Sequence, residues 1–285
     1  MPSVVEPARP EDDAAIQALL ATRPMSGWMQ LIATTQPSFF QALAWEGIRA
    51  DAFVARQANQ VVGLCSRVVQ SFYFQGTPCQ LGYLGHLRTH PQLKGQIKPI
   101  QAGFQACFQA HTATEQAFDI TSILSENREA RRLLEANLPG LPVYRPLREW
   151  TTLIFSVRHL TRLPSKAVAL LPDQVEAYRH VLKEHFRSFG LASSWSHHLE
   201  RGICPPLEQS CWLGCPNQIE ATAALWDISA VKQTRVVGYR CGIAWTRPLL
   251  NGVLRLLGQP LLPKPGQALR MGYICQWSVQ DEHGE

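Results

Sequence analysis

Between Gly82 and Pro99 the sequence reads GYLGHLRTHPQLKGQIKP and changes character twice. A strand-like apolar run ends at His90-Pro91, a Lys94-Gly95 pair follows, and a helical pattern starts at Pro99. Strand, glycine loop and helix start in this order can hold a phosphate, because the first amides of a helix lack intrahelical acceptors and lie at the positive end of its dipole. Glycine adds close approach and access to positive φ. Pro99 has no amide and disfavours helical geometry at Lys98, so the helix is expected to begin at Pro99 and to leave Gly95, Gln96, Ile97 and Lys98 as the available donors. Taken alone, the pair reads more simply as a turn glycine with Lys94 and Lys98 in solvent.

The elements that would position this stretch can be read from periodicity. A short strand at Val4–Glu6 precedes Arg9-Pro10-Glu11-Asp12-Asp13 and an apolar helical stripe at Ile16, Leu19 and Leu20, where acidic residues suit a helix start. Pro37-Ser38 opens a second helix through Trp45. Ala52–Ala55, Val61 to about Phe74 and Gln80–Arg88 predict an antiparallel three-strand meander. A helix from Pro99 to His111, a strand at Phe118–Leu124 and a helix at Asn127–Asn137 then form a crossover, which makes the strands near Leu84 and Ile120 parallel neighbours. Val143–Arg145 and Trp150–Val157 read as closing strands.

After a linker at Leu163-Pro164-Ser165 the order returns: helical stretches at Gln174–His185 and Trp195–Glu200, then strands at Ser210–Gly214 and Ile219–Trp226 around a Pro216-Asn217 turn. Met271-Gly272-Tyr273-Ile274-Cys275-Gln276-Trp277-Ser278-Val279 echoes Leu81-Gly82-Tyr83-Leu84-Gly85-His86-Leu87-Arg88-Thr89, which argues for an internal repeat. Pro248–Gly258 predicts a packed helix.

At 285 residues and 46% hydrophobic content the chain can bury two cores, and the expected domains are 1–160 and 161–285. There is no signal-peptide pattern and no apolar run near the roughly 20 residues of a membrane span, so a cytoplasmic protein without membrane partners is expected. The eight cysteines form no Cys-x-x-Cys pair and read as reduced thiols; Cys204, Cys211 and Cys215 with His197 and His198 lack paired zinc spacing, so no metal is expected. The net charge of +5 has no basic run, which leaves nucleic-acid binding unsupported.

In order and in residues the chain resembles the GNAT superfamily of N-acetyltransferases. The resemblance rests on Arg9-Pro10-Glu11-Asp12, the hairpin ending in Val62-Gly63, the strand to His90-Pro91, the Lys94-Gly95 loop and Asn127-Arg128-Glu129-Ala130; it covers 3–157 well and 166–279 weakly. It implies an α/β (α+β) fold with a mixed, mostly antiparallel sheet flanked by helices, followed by a second, partial GNAT-like domain. It further implies acetyl-coenzyme A as co-substrate, with Leu87, Arg88 and Thr89 pairing with the pantetheine arm, Lys94, Gly95, Gln96, Ile97 and Lys98 holding the pyrophosphate, and Asn127 touching the arm; Asn127 serves equally as a helix N-cap. The family loop usually carries further small residues where this chain has Ile97 and Pro99.

Transfer to an amine needs a neutral nucleophile and a proton for the departing thiolate. His86, on the strand leading to the loop, and Glu126 are the candidate bases; the plain alternatives are a hydrogen-bonded core histidine and a solvated loop carboxylate. Strict alternation puts Leu84, His86 and Arg88 on one face and Tyr83, Gly85, Leu87 and Thr89 on the other, unless a bulge intervenes. The family's acid, a Tyr on the helix after the Asn turn, falls at Leu134, with Tyr144 nearby in sequence. The resulting expectation is acetyl transfer to an amine of a small molecule or peptide. A non-catalytic coenzyme A sensor or interaction protein is the alternative, and the second copy would serve as a cleft cover or a homodimer surface.

Overall fold

The computed structural model describes residues 3–25, 27–154, 167–195, 205, 209–215, 218–240 and 242–279. In chain order the principal elements begin with β1 (Val4–Pro7), α1 (Asp13–Leu20), β2 (Met29–Thr34), α2 (Phe39–Ala44), β3 (Arg49–Gln57), β4 (Gln60–Phe74) and β5 (Thr77–Thr89). They continue with α3 (Lys98–Gln109), β6 (Asp119–Ile120), α4 (Arg128–Leu134), β7 (Val168–Ala169), α5 (Val175–Arg187) and β8 (Leu191–Ser193). The chain then forms β9 (Ser210–Cys215), β10 (Gln218–Trp226), β11 (Gln233–Tyr239), α6 (Ile243–Leu256) and β12 (Tyr273–Val279). Contacts group these into two units that interleave in sequence, Met1–Thr22, Pro37–Leu147 and Leu182–Cys204 against Arg23–Gln36, Arg148–Val181 and Pro205–Glu285.

The first unit is a sheet in the order β1-β3-β4-β5-β6, antiparallel except for the parallel pair β5–β6, with β8 against the end of β4. The crossover read from sequence is therefore present, with Gly82 opposite Asp119 and Tyr83 opposite Ile120. Ile16 and Leu19 of α1 and Phe39 and Leu43 of α2 pack on Val54, Leu64 and Val68 of one sheet face. Asp13 ties the two helices together, accepting from Ser38 Oγ and from the Phe39 amide at 2.8 Å each, while Ser38 caps α2 through the Phe40 amide. The acidic start of α1 thus fixes where Phe39 enters the core.

The second unit contains the sheet β12-β10-β9-β7 and a two-stranded ribbon, β11–β2. Its sheet runs β7-β9-β10-β12 with antiparallel neighbours throughout, as β1-β3-β4-β5 does in the first unit. The agreement extends to one irregularity. Ser66 pairs with Gly85 and Leu64 with Arg88, so Cys65 alone faces two residues, His86 and Leu87. Ala224 pairs with Cys275 and Thr222 with Ser278, so Ala223 alone faces Gln276 and Trp277. Each extra residue is a β-bulge, and its first member has positive φ, 53° at His86 and 50° at Gln276.

Three expectations need correction. Residues 143–154 form no strand, and Val143, Trp150 and Ile154 are 69%, 79% and 92% exposed. Pro142 and Pro146 have no amide to donate, and β6, at two residues, offers no edge of matching length. Helix α6 forms around Pro248 but buries none of its residues, with Trp245 and Leu256 about nine-tenths exposed. Its anchored side is polar: Asn251 exchanges hydrogen bonds with the Leu262 backbone, and Arg247 donates to the same carbonyl. Finally, α3 begins at Lys98, one residue before the expected start. The ribbon β11–β2 was not legible locally, because its partners lie about 200 residues apart in sequence and no hairpin turn joins them. The linker at Leu163–Ser165, the Pro216-Asn217 turn and residues 196–200 lie outside the described residues. No described helix is long and apolar enough to cross a membrane.

Candidate functional site

The bulge decides where His86 points. Residues directly opposite in an antiparallel pair share a face, so Tyr83, Gly85 and Arg88 lie with Val68, Ser66 and Leu64 on the side covered by α1 and α2. The extra residue brings His86 to that same side, reversing the alternation expected from sequence. Its ring meets Phe39 edge-on, with centroids 5.3 Å apart, and its Nδ1 lies 2.8 Å from Ser66 Oγ. On its other side Nε2 is 3.5 Å from Glu46 Oε1. A histidine tolerates the left-handed region better than most residues, though still at some cost.

Glu46 reaches this place because the chain after α2 presses on β4. The Glu46 amide donates to Leu43 O, its carbonyl accepts from Gln70 Nε2 at 2.7 Å, and the Ile48 amide donates to Val69 O. At Gly47 a Cβ would come within 2.3 Å of Val69 O, so a side chain there would push the whole turn outward.

Beyond Tyr83 the sheet opens. Among the described residues, strands β5 and β6 pair at Gly82–Asp119 and Tyr83–Ile120, Thr121 Oγ1 then donates to Leu84 O, and no described strand lies beside Gly85–Thr89 on that edge of β5. Leu87, Arg88 and Thr89 line a small cavity of about 20 Å³ with Cys65, Pro99 and Gly103, room for about one water. The loop after this edge is exposed at Lys94, Gly95, Gln96 and Lys98. Gly95 has φ 80°, and a Cβ there would meet no atom within 4 Å. The Gln96 amide is used by Leu93 O, whereas those of Gly95, Ile97 and Lys98 have no acceptor among the described residues. The cradle is thus three amides beside two lysines.

The base of the opening is locked by ions. Arg67, with no solvent-exposed side-chain surface, donates from Nε and Nη2 to Asp119 at 3.0 and 2.7 Å, and its Nη2 lies 2.6 Å from Glu115 Oε2. Burial works against the charge on Arg67, but the hydrogen bonds to Asp119 and Glu115 outweigh it and hold its pKa above the usual value. Burial likewise opposes ionisation of Glu115, yet bonds from Thr112 and Arg67 bring its pKa below the usual carboxylate value. A Cβ on Gly82 would fall 2.1 Å from Asp119 Oδ1, which explains why this strand has a glycine there.

The other candidates separate. Asn127 caps α4, its Oδ1 accepting from the Ala130 amide at 3.2 Å. Glu126 is exposed, and no contact joins it to His86 among the described residues. Leu134 is 4% exposed and packs as core. Tyr144 stacks edge-on against Phe104 of α3, and burial pushes its hydroxyl well above the ordinary tyrosine range. His197, His198 and Cys204 lie outside the described residues.

No protein-family model and no curated protein matches the sequence. Among solved structures, a GCN5-related glucosamine N-acetyltransferase region of a fungal multi-domain GH3 β-N-acetylglucosaminidase aligns with 99% of this chain and 32% of that chain, at 12% identity and a TM-score of 0.51. The chain has the GNAT fold. A Saccharomyces cerevisiae N-myristoyltransferase with bound myristoyl-CoA covers 96% of this chain and 66% of its own at 12% identity, TM-score 0.48. A Trypanosoma brucei acetyltransferase covers 54% of this chain and all of its own at 13% identity, TM-score 0.38. Within the GNAT fold described here, sequence reasoning missed Glu46, Ser66 and the Arg67 cluster. Arg67 had a signal, a lone charge inside the apolar run Val61–Val69; Glu46 and Ser66 had none, being 20 residues apart and joined only through His86.

Proposed function

We propose that the first unit binds an acyl-coenzyme A, acetyl-coenzyme A foremost, and that the protein transfers the acyl group to an amine of a small molecule or peptide. The observation that carries this reading is the parting of β5 from β6 beyond Tyr83, on the strand that leads directly into the Gly95 loop. An extended arm can add to such an edge through backbone hydrogen bonds. Lys94, Lys98 and the amides of Gly95, Ile97 and Lys98 suit a pyrophosphate, and the open space above Gly95 admits one. Asn127 would meet the arm while keeping its cap.

In this reading the His86–Glu46 pair stands where the arm ends, at the bulge. An ammonium there first loses a proton. The neutral amine then forms a bond to the thioester carbonyl carbon, the C–S bond breaks with its electron pair on sulfur, and the second nitrogen proton balances the thiol. The net products are amide, coenzyme A thiol and one proton. With Leu134 in place of a tyrosine, the thiolate draws its proton from solvent.

Calorimetry of the full chain with acetyl-coenzyme A tests the site, with binding in the micromolar to low millimolar range expected. Absence of heat at millimolar ligand, in a folded sample, would sink the proposal. Thiol release across a panel of amines then separates an enzyme from a coenzyme A sensor, which would bind and release nothing.

A further inference from the structure

Ser66 and Glu46 lie on opposite sides of the His86 ring, and together they fix where its proton sits. Ser66 is 1% exposed, and its hydroxyl has one hydrogen-bond partner among the described residues, His86 Nδ1. A hydroxyl in that position either donates to Nδ1 or accepts from an Nδ1–H and leaves its own proton buried and unpaired. The second arrangement costs about 1–3 kcal/mol. Ser66 therefore donates, Nδ1 is the acceptor, and the proton of the neutral imidazole is on Nε2. That nitrogen faces Glu46 Oε1 at 3.5 Å. Phe39, edge-on at 5.3 Å, and the left-handed backbone at His86 hold the ring in this orientation.

An imidazole in this state has no lone pair to offer a substrate: Nδ1 is occupied by Ser66 and Nε2 carries the proton. The carboxylate beside it does, since an ionised carboxylate is purely an acceptor, with about four lone-pair sites. Glu46 is also the anionic member, suited to hold an ammonium before it is deprotonated. Its side chain is 20% exposed, and its main chain is pinned by Gln70 Nε2 and by the close packing at Gly47.

We propose that Glu46 is the catalytic base, binding the acceptor ammonium and taking its proton, and that His86 is a positioning residue, held as the Nε2–H tautomer by Ser66 with that N–H facing Glu46. The inference rests on the acyl-transfer reading. The ammonium gives one proton to the Glu46 carboxylate, which returns it to solvent; the amine nitrogen bonds to the thioester carbon, and the thiolate leaves and is protonated. Replacing the expectation that His86 is the base, this chain of contacts places the accepting lone pair one residue further out.

Two-bond proton–nitrogen correlation spectra of the full chain, labelled with nitrogen-15 histidine, report the tautomer directly. The His86 signals, picked out among nine histidines by their loss in His86→Gln, are expected to show Nε2–H in the wild type and a mixture in Ser66→Ala. An Nδ1–H pattern in the wild type would overturn the inference without any appeal to activity. In thiol-release assays Glu46→Gln is expected to lower kcat about 100-fold or more with KM for acetyl-coenzyme A unchanged, Glu46→Asp to recover part of it, and His86→Gln, which keeps an N–H donor, to lose only about 10-fold. A larger loss in His86→Gln than in Glu46→Gln would return the base to His86. No thiol release from the wild type with any amine defeats the acyl-transfer reading, whereas Nδ1–H in a chain that does release thiol defeats the Glu46 assignment alone.

Discussion

At His86 and at Gln276 the backbone does the same thing: one extra residue enters an antiparallel pair and the first of the two bulged residues turns to positive φ. The surroundings differ. His86 has a hydroxyl on one side and a carboxylate on the other, with 16% of its side chain exposed. Gln276 is 2% exposed, receives the Tyr178 hydroxyl at 3.2 Å, and its carbonyl takes the Thr222 hydroxyl at 2.8 Å. One bulge is lined by an imidazole and a carboxylate; the other is buried among neutral groups, with Gln276 Nε2 left without a hydrogen-bond partner among the described residues. The strand beyond differs too, since β5 leads into the Gly95 loop and β12 into Gln280–Glu285, with three carboxylates that would repel a pyrophosphate. The comparison teaches that this bulge is a structural device on which chemistry is optional, set by the side chains around it.

The largest expected break in this comparison is at the ion cluster that the second sheet lacks among its described residues. Replacing Arg67 with Met removes the only partner of the Asp119 carboxylate among the described residues and leaves the buried Glu115 with Arg49 and Thr112 alone, and should cost about 3–5 kcal/mol in denaturant unfolding. The same cluster gives the first unit an acid sensitivity. Because folding lowers the Glu115 pKa, its contribution is present above the unfolded value near 4.5 and is lost as pH falls through the depressed value. The unfolding midpoint of the wild type should therefore fall more steeply than that of Glu115→Gln between pH 5 and pH 3, values chosen to bracket about that range.

Glycine substitutions come next. Gly82→Ala should destabilise by about 2–3 kcal/mol, since its Cβ would collide with Asp119 and Arg67, while Gly272→Ala, which meets the movable end of Leu225 at 2.8 Å, should cost about 1 kcal/mol or less. Equal losses in thermal unfolding would mean that the two strands are more alike than their contacts indicate. Exchanging the bulge residues is a milder intervention on stability. His86→Gln should change unfolding free energy by about 1 kcal/mol, whereas Gln276→His, which disturbs the bond from Tyr178, should lose about 1–3 kcal/mol. A comparably small effect is expected at Gly95→Ala: about 1 kcal/mol from its positive φ, read as an unfolding shift together with weaker acetyl-coenzyme A binding.

Much of the fold could be read from local pattern. The apolar stripe of α1 behind Asp12-Asp13, the hairpin β3–β4 and the β5–β6 crossover all depend on residues fairly near one another in sequence. The failures have a common cause. The ribbon β11–β2 and the short β8 are strands only because a distant edge accepts them, and residues 143–154 have strand-like alternation but pair with no strand among the described residues. The site divides in the same way. Gly95, the lysines beside it and His86 stand out by type and order, while Ser66 and Glu46 look like ordinary polar residues until the fold brings them to one ring.

The sequence by itself determined the strands and helices from β3 to α4 and the glycine loop, because periodicity, turn chemistry and proline act over a few residues. Only the tertiary structure decided the bulge that turns His86 toward α2, the parting of β5 from β6, and the carboxylate and hydroxyl that share its ring. Those depend on strand register and on contacts across the sheet, where one extra residue changes which face a side chain joins.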